Sequence, residues 1–355
     1  MSKTIYFMPL SEETSFELTN LIISVLRQEF TLLGIPHDKN FSTDNGWLRF
    51  LRFLKYIVLN IFALVNNKNR ISAIFCVHWW YGLFGQSMAR WFGVPFIFDL
   101  HSGLIDRGSS SGILGRIGHS MEVRLAKKSN LVIVRTTSDQ AELLKRTKSP
   151  ILVFPDCVDF NIIEQQVKLA ASLRDVSIPL GRQRLIFSGS RRYWPNREAA
   201  FYINCTLMPE ISRSLPDVVA IVTGDGPIPK HVFKSVIFTG HVNNYFKLLS
   251  GSDIVLAPMT YANGTLHKIV EALALGKPLI ATRVAVAGFD MLKNGYHLLV
   301  VNSRPEIADK IKLLLTNREF ASRLGECGRE AVYQYYNLET LAPSLLEAVS
   351  KCVGS

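Results

Sequence analysis

The stretch IVLAPMTYANGTLHKIVEALALGKPLIA, Ile254–Ala281, decides the fold. Four apolar residues, Ile254–Ala257, read as a short buried strand. After a turn, Leu266, Ile269, Val270, Leu273 and Ala274 recur with helical spacing, and Pro278–Ala281 supplies a second apolar run. Short apolar runs alternating with longer amphipathic stretches are the mark of a parallel sheet crossed over by helices. The alternation continues in both directions. Further strands are expected at Leu185–Gly189, Val218–Thr223, Val236–Thr239 and Leu298–Val301, and in the front half at Thr4–Met8, Ala73–Val77, Pro95–Leu100, Leu131–Arg135 and Ile151–Phe154.

Since 355 residues exceed what one core usually holds, the expectation is an α/β protein of two Rossmann-like, doubly wound domains. The polar stretch Ala171–Arg184, with Pro179 and Gly181, reads as their linker. The expected bounds are 1–170 for the first domain and 185–335 for the second. A C-terminal helix, 336–355, is expected to pack back on the first domain. Within Glu319–Cys352, read as helices, Pro343 opens or kinks the last one.

Composition narrows the classes. A hydrophobic fraction of 48% against 19% charged describes a folded chain. Five scattered cysteines, none in a C-x-x-C pair, predict reduced thiols in the cytoplasm and neither a disulfide framework nor a zinc site. The opening MSKTIYFMPLSEETS reads as a first strand rather than a signal peptide. Net charge is +11, of which +7 falls in residues 1–150, so an anionic partner is expected. Without a nucleic-acid-binding motif, and with the basic residues interleaved among long apolar ones, a membrane surface fits better than nucleic acid.

The phosphate loop G-x-x-x-x-G-K-[ST] is absent, as are H-E-x-x-H and D-x-D, so no metal site is expected. The glycine-rich segment Ser102–Gly118 lacks dinucleotide spacing and reads as a loop that orders over substrate. The helix following Ile254–Ala257 should start near Gly264–Thr265, placing free backbone N–H groups and the positive end of its dipole at Gly264, Thr265 and Leu266, where a diphosphate fits. Glu271, two turns in, would accept from ribose hydroxyls; the alternative is a solvent-facing glutamate on an ordinary crossover helix.

The motif Glu271-Ala-Leu-Ala-Leu-Gly276-Lys-Pro278 resembles the donor-domain signature of the retaining nucleotide-sugar glycosyltransferases of family 4, glycosyl transferases group 1. The resemblance continues in Phe187-Ser-Gly189-Ser-Arg-Arg-Tyr-Trp-Pro-Asn196, Val222-Thr-Gly224-Asp-Gly226-Pro227, Phe238-Thr-Gly240-His-Val242 and the degenerate Phe154-Pro-Asp-Cys-Val-Asp159. It implies the GT-B fold, two Rossmann-like domains facing across a cleft. The first would hold the acceptor, and the second would hold the nucleotide sugar around Gly189 and Gly224, with His241 and Val242 at the base.

Where the family has a first glutamate, seven residues before Glu271, this chain has Asn263, which by resemblance sits beside the sugar. Arg191, Arg192 and Arg197 lie at the carboxyl end of a strand, where an arginine can neutralise the departing diphosphate. The resemblance places the family's lysine position on Pro195, which leaves the choice among the three arginines open, with Arg192 placed first. His101, ending Ile97–His101, is placed to contact sugar or acceptor, with a loop cap as the other reading. His78, before Trp79-Trp80-Tyr81, divides evenly between acceptor contact and packing.

The resemblance implies transfer of a hexosyl or N-acetylhexosaminyl group, with retention and without metal or cofactor. The expected donor is a UDP-sugar and the expected acceptor a glycan or a lipid-linked sugar. The rivals are a non-catalytic sugar-binding subunit and a nucleotide-sugar epimerase of the same fold. In Gly46–Arg70, Arg49, Arg52, Lys55 or Tyr56, and Asn60 form one polar stripe on an otherwise apolar helix, too short in its apolar run to span a bilayer. Such a helix would lie on an anionic cytoplasmic membrane face, the alternative being a buried crossover helix with its stripe in water.

Overall fold

The computed structural model describes residues 3–8, 16–34, 46–100, 113–170, 182–243, 245–262 and 264–354. They fall into two compact units, Met1–Pro155 with Leu341–Ser355, and Asp156–Thr340. His101 and Asn263 lie outside the described residues.

The first unit is built on β1 (Thr4–Met8), β2 (Thr31–Leu33), β3 (Ile71–Val77), β4 (Phe96–Asp99), β5 (Leu131–Val134) and β6 (Ile151–Val153). They form a parallel sheet in the order β2-β1-β3-β4-β5-β6. Its inner strands β4 and β5 are buried throughout, as sheets with helices on both faces require. The edge strand β2 was not expected, because its three residues, Thr-Leu-Leu, are only partly covered and make no apolar run.

The second unit holds β7 (Gln183–Ser188), β8 (Val218–Thr223), β9 (Val236–Gly240), β10 (Ile254–Ala257), β11 (Leu279–Thr282) and β12 (Leu299–Val301). The order is β12-β11-β10-β7-β8-β9, again parallel. From β7 the chain winds outward to β9, then returns to lay β10 on the other side of β7. That reversal leaves a crevice at the carboxyl ends of β7 and β10, where open α/β sheets bind ligands.

Several expectations need correction. Gln183 and Arg184 belong to β7, Arg184 opposite Val219, rather than to the linker; residues 171–181 lie outside the described residues. The glycine-rich segment is helical from Ile113, in the helix Ile113–Ala126, while residues 102–112 lie outside the described residues. Of the two readings of Pro343, opening the last helix falls, since it lies inside the helix Leu338–Gly354.

On the helix Gly46–Asn66 part of the expected polar stripe turns inward. Asn60 is wholly buried and Tyr56 nearly so, whereas Val58, Leu59, Ile61, Phe62 and Val65 are exposed. The polar group can face inward because it is paired: Asn60 Oδ1 accepts from the Tyr6 hydroxyl at 2.9 Å, and its amide donates to the Tyr56 carbonyl at 2.7 Å. Lys55 is exposed, and Arg49 and Arg52 have no described side chains. No described helix is long and apolar enough to cross a membrane.

At the carboxyl ends of β4 and β5, Asp99 and Arg135 form a fully buried ion pair at 2.6 Å, and Arg135 also donates to the Phe154 carbonyl at 3.2 Å. Stranding one charge there is far costlier than removing both. Asp99→Ala should therefore lose about 3–5 kcal/mol in urea denaturation. Combining it with Arg135→Met should recover most of that loss, and an equally unstable double variant would contradict the account.

Candidate functional site

Three loops converge along the carboxyl edge of the second sheet, and glycine lets them touch backbone to backbone. Gly224, at φ 113°, lies so close to the loop after β7 that a Cβ would sit 2.4 Å from the Gly189 carbonyl oxygen. At Gly226, φ 119°, a Cβ would sit 2.6 Å from the Arg192 nitrogen. Only glycine combines that φ with that proximity. Hydrogen bonds continue the stack, Gly189 N–H to Thr223 O at 3.1 Å and Gly224 N–H to Gly240 O at 2.8 Å.

Arg191 fastens this stack. It is almost wholly buried, donating from Nε to the Pro227 carbonyl at 3.0 Å and from Nη2 to that of Gly226 at 3.2 Å, with its guanidinium 5.1 Å from the Phe238 ring centroid. Burial lowers its pKa, partly offset by Asp225. Arg192 is exposed on the same loop. Arg197 lines a cavity of about 460 Å³ with Trp194, Phe201 and Arg304 beside the helix Trp194–Tyr202. His241 is exposed after β9, while Val242 packs partly on the core.

Across the crevice, the helix His267–Ala274 begins two residues later than expected. Gly264 has φ 62° and Leu266 is extended, so the chain turns sharply before the first helical residue. No side chain caps this N-terminus, and Thr265 instead accepts from the Asp156 N–H at 3.0 Å, tying the helix entry to the Asp156–Asp159 segment.

Glu271 is only 6% exposed, which removes the solvent-facing alternative. Its Oε2 accepts from the Tyr245 hydroxyl at 3.1 Å, and its Oε1 is 3.8 Å from His267 Nε2. With that proton committed, the Tyr245 oxygen accepts from Ser188 Oγ at 2.9 Å. Ser188, Tyr245 and Glu271 thus form a relay from the end of β7 to the helix.

Two of these side chains escaped sequence reasoning. Tyr245 carries no spacing signal. Lys268 sits in the first turn of the helix, its Nζ 2.8 Å from Asn196 Oδ1 and 4.4 Å from the Phe187 ring centroid. The only hint was its place, four residues after Gly264, on the turn already marked for anions. Asn196 reaches it by passing under Gly189, φ 149°, where a Cβ would lie 2.6 Å from the Asn196 side chain. In the first unit, His78 follows β3 with φ 65°, a strained backbone for a residue with a side chain, and its ring lies 5.4 Å from that of Trp80. No cluster of three His, Cys, Asp or Glu suited to a metal occurs among the described residues.

Residues 182–317 match the family model of glycosyl transferases group 1. They form a domain of that family, in a chain with the GT-B fold. The UDP-galactose:α-D-GlcNAc-diphosphoundecaprenol α-1,3-galactosyltransferase of Escherichia coli is 22% identical over 234 residues, covering 62% of this chain and 58% of that protein. The N-acetyl-α-D-glucosaminyl L-malate synthase of Bacillus anthracis is 30% identical over 136 residues, 35% of each chain. The matches thus span about a third to somewhat over half of these relatives. HepE of Anabaena, solved in complex with UDP, superposes with a TM-score of 0.73 at 15% identity, covering 98% of this chain and 100% of that one.

In this group 1 domain the glycine contacts make a sharp prediction. Gly224→Ala should cost about 2–4 kcal/mol through the disfavoured φ and the backbone clash. Thermal denaturation checks it, and a midpoint within a degree of the parent would mean that the loops are not in contact.

Proposed function

We propose that the chain transfers a hexosyl or N-acetylhexosaminyl unit from a UDP-sugar to the hydroxyl of a lipid-linked sugar, with retention and without a metal. The observation that carries the reading is the uncapped helix N-terminus at the β7/β10 switch point with buried Glu271 two turns in, inside a group 1 domain. Gly264, Thr265 and Leu266 would turn backbone N–H groups to the diphosphate, with Arg192 on the opposite loop and Gly189 and Gly224 giving it room. A carboxylate accepts up to about four hydrogen bonds, so Glu271 can hold Tyr245 and the ribose hydroxyls together. His241 and Val242 would meet the base, and Asn263 and His101 the sugar and acceptor.

In the reaction, the bond from the anomeric carbon to the β-phosphate oxygen breaks as the acceptor oxygen bonds that carbon. The acceptor proton passes to the departing phosphate, so no protein base is needed. The relatives support the substrate class: one is named for a UDP-sugar and an acceptor on diphosphoundecaprenol, and the Anabaena structure holds UDP.

The first test is nucleotide binding and release with UDP-, GDP- and ADP-sugars in the presence of chelator. Glu271→Ala should weaken UDP-sugar binding by about 1.5–3 kcal/mol. Unchanged affinity by calorimetry would remove Glu271 from the ribose. Tight binding without turnover would favour a sugar-binding subunit, and loss of turnover in EDTA restored by manganese would refute the metal-free mechanism.

A lipid-linked acceptor calls for a membrane surface on the cytoplasmic side, and the first unit offers one. Between Asp44 and Asp99 the sequence holds no acidic residue and six basic ones. This run contains the helices Gly46–Asn66 and Trp79–Phe92, which expose Val58, Leu59, Ile61, Phe62, Val65, Trp80, Leu83 and Trp91. Apolar groups enter the headgroup boundary while Lys55, Lys68 and Arg70, all exposed, meet anionic lipid. Val58→Glu/Phe62→Glu should abolish co-sedimentation with anionic liposomes; partition equal to the parent's would sink the proposal.

A further inference from the structure

Within the donor reading, a diphosphate needs a cation, and the arginines of the loop after β7 are differently employed. Arg191 spends Nε and Nη2 on the carbonyls of Pro227 and Gly226. Arg197 lines the cavity with Trp194 and Arg304, while its neighbour Asn196 is the residue that reaches the helix His267–Ala274. Arg192 is exposed.

Lys268 differs from all three. It stands on the anion-favouring first turn of that helix, partly buried, at the crevice between β7 and β10. Its hydrogen bond goes to a neutral amide, that of Asn196, and its ammonium lies over the face of Phe187. Among the described residues, no carboxylate lies within ion-pairing distance of Nζ. An ammonium has three donors, so two remain beyond the Asn196 bond.

We infer that Lys268 is a second diphosphate-binding cation of this domain, supplied from the helix and aimed by Asn196, opposite Arg192 on the loop after β7. Asn196 acts as the positioning residue. It also donates from Nδ2 to the Ser190 carbonyl at 3.1 Å, so one side chain sets both the loop and the lysine. The inference rests on the donor reading of the same site.

The environment adds a second signature. Burial pulls the Lys268 pKa down to about 7, and Glu271, a turn along the helix, opposes the shift. The other titratable and charged groups at the site are His267 on the same helix, Tyr245 on the helix Tyr245–Ser250, and Arg191 and Arg192 on the loop after β7. A doubly anionic diphosphate favours the ammonium, so binding draws a proton onto Lys268. Affinity for UDP is then highest where the free lysine is already charged and falls as pH rises through about 7.

The experiment measures UDP and uridine binding by calorimetry from pH 7 to 9 for the parent, Lys268→Met, Lys268→Arg and Asn196→Ala. Lys268→Met should weaken UDP at least tenfold at pH 7 and leave uridine within twofold. Lys268→Arg should bind UDP with little pH dependence, and Asn196→Ala should fall between. Equal losses for uridine and UDP, or no loss in Lys268→Met, would overturn the inference, as would a pH profile unchanged in Lys268→Arg. A parent protein that binds no nucleoside diphosphate would instead defeat the donor reading itself.

Discussion

The carbonyl of Gly189 occupies the space that a side chain on Gly224 would need, and this contact of bare backbone holds the carboxyl edge of the second sheet together. A parallel sheet satisfies its hydrogen bonds along the strands but leaves the loops at their carboxyl ends to find partners for themselves. Here the loop after β7 leans on the loop after β8, which leans on the end of β9 through Gly224 N–H and the Gly240 carbonyl. Arg191 then closes the stack from beneath, trading its hydration for the Gly226 and Pro227 carbonyls. Those carbonyls, with Asp225 nearby, explain how an arginine can be buried there.

Buried polar groups do similar work throughout the chain. Asp99 with Arg135 joins β4 to β5 at their carboxyl ends. Ser188, Tyr245 and Glu271 join β7 to two helices across the switch point. Such groups contribute little net stability compared with apolar side chains, but each accepts only one arrangement of its partners. They fix the geometry of edges that the apolar core, being non-directional, cannot fix.

The helix Gly46–Asn66 shows the converse. Its apolar residues outnumber what one sheet face can cover, so part of them stays outside, and the buried side includes an asparagine because Tyr6 and the helix's own carbonyl complete it. A polar stripe along a helix marks two faces without saying which is inward. That is settled by the partner available in the neighbouring strand.

The sequence by itself determined every strand but β2, the parallel, doubly wound architecture and the helix after β10, because runs of apolar residues with period and length are local properties of the chain. β1, β8 and β10 stand at their expected limits. The family motifs were also legible, since the glycines of 189, 224 and 226 answer to local backbone needs. Tertiary structure alone decided which charged groups face the crevice. Arg191 turned to the loop carbonyls, Arg197 to a cavity shared with Trp194 and Arg304, and Lys268 to Asn196, some seventy residues earlier in the chain. A side chain's charge is written in the sequence, but the direction in which it points depends on partners brought near only by packing.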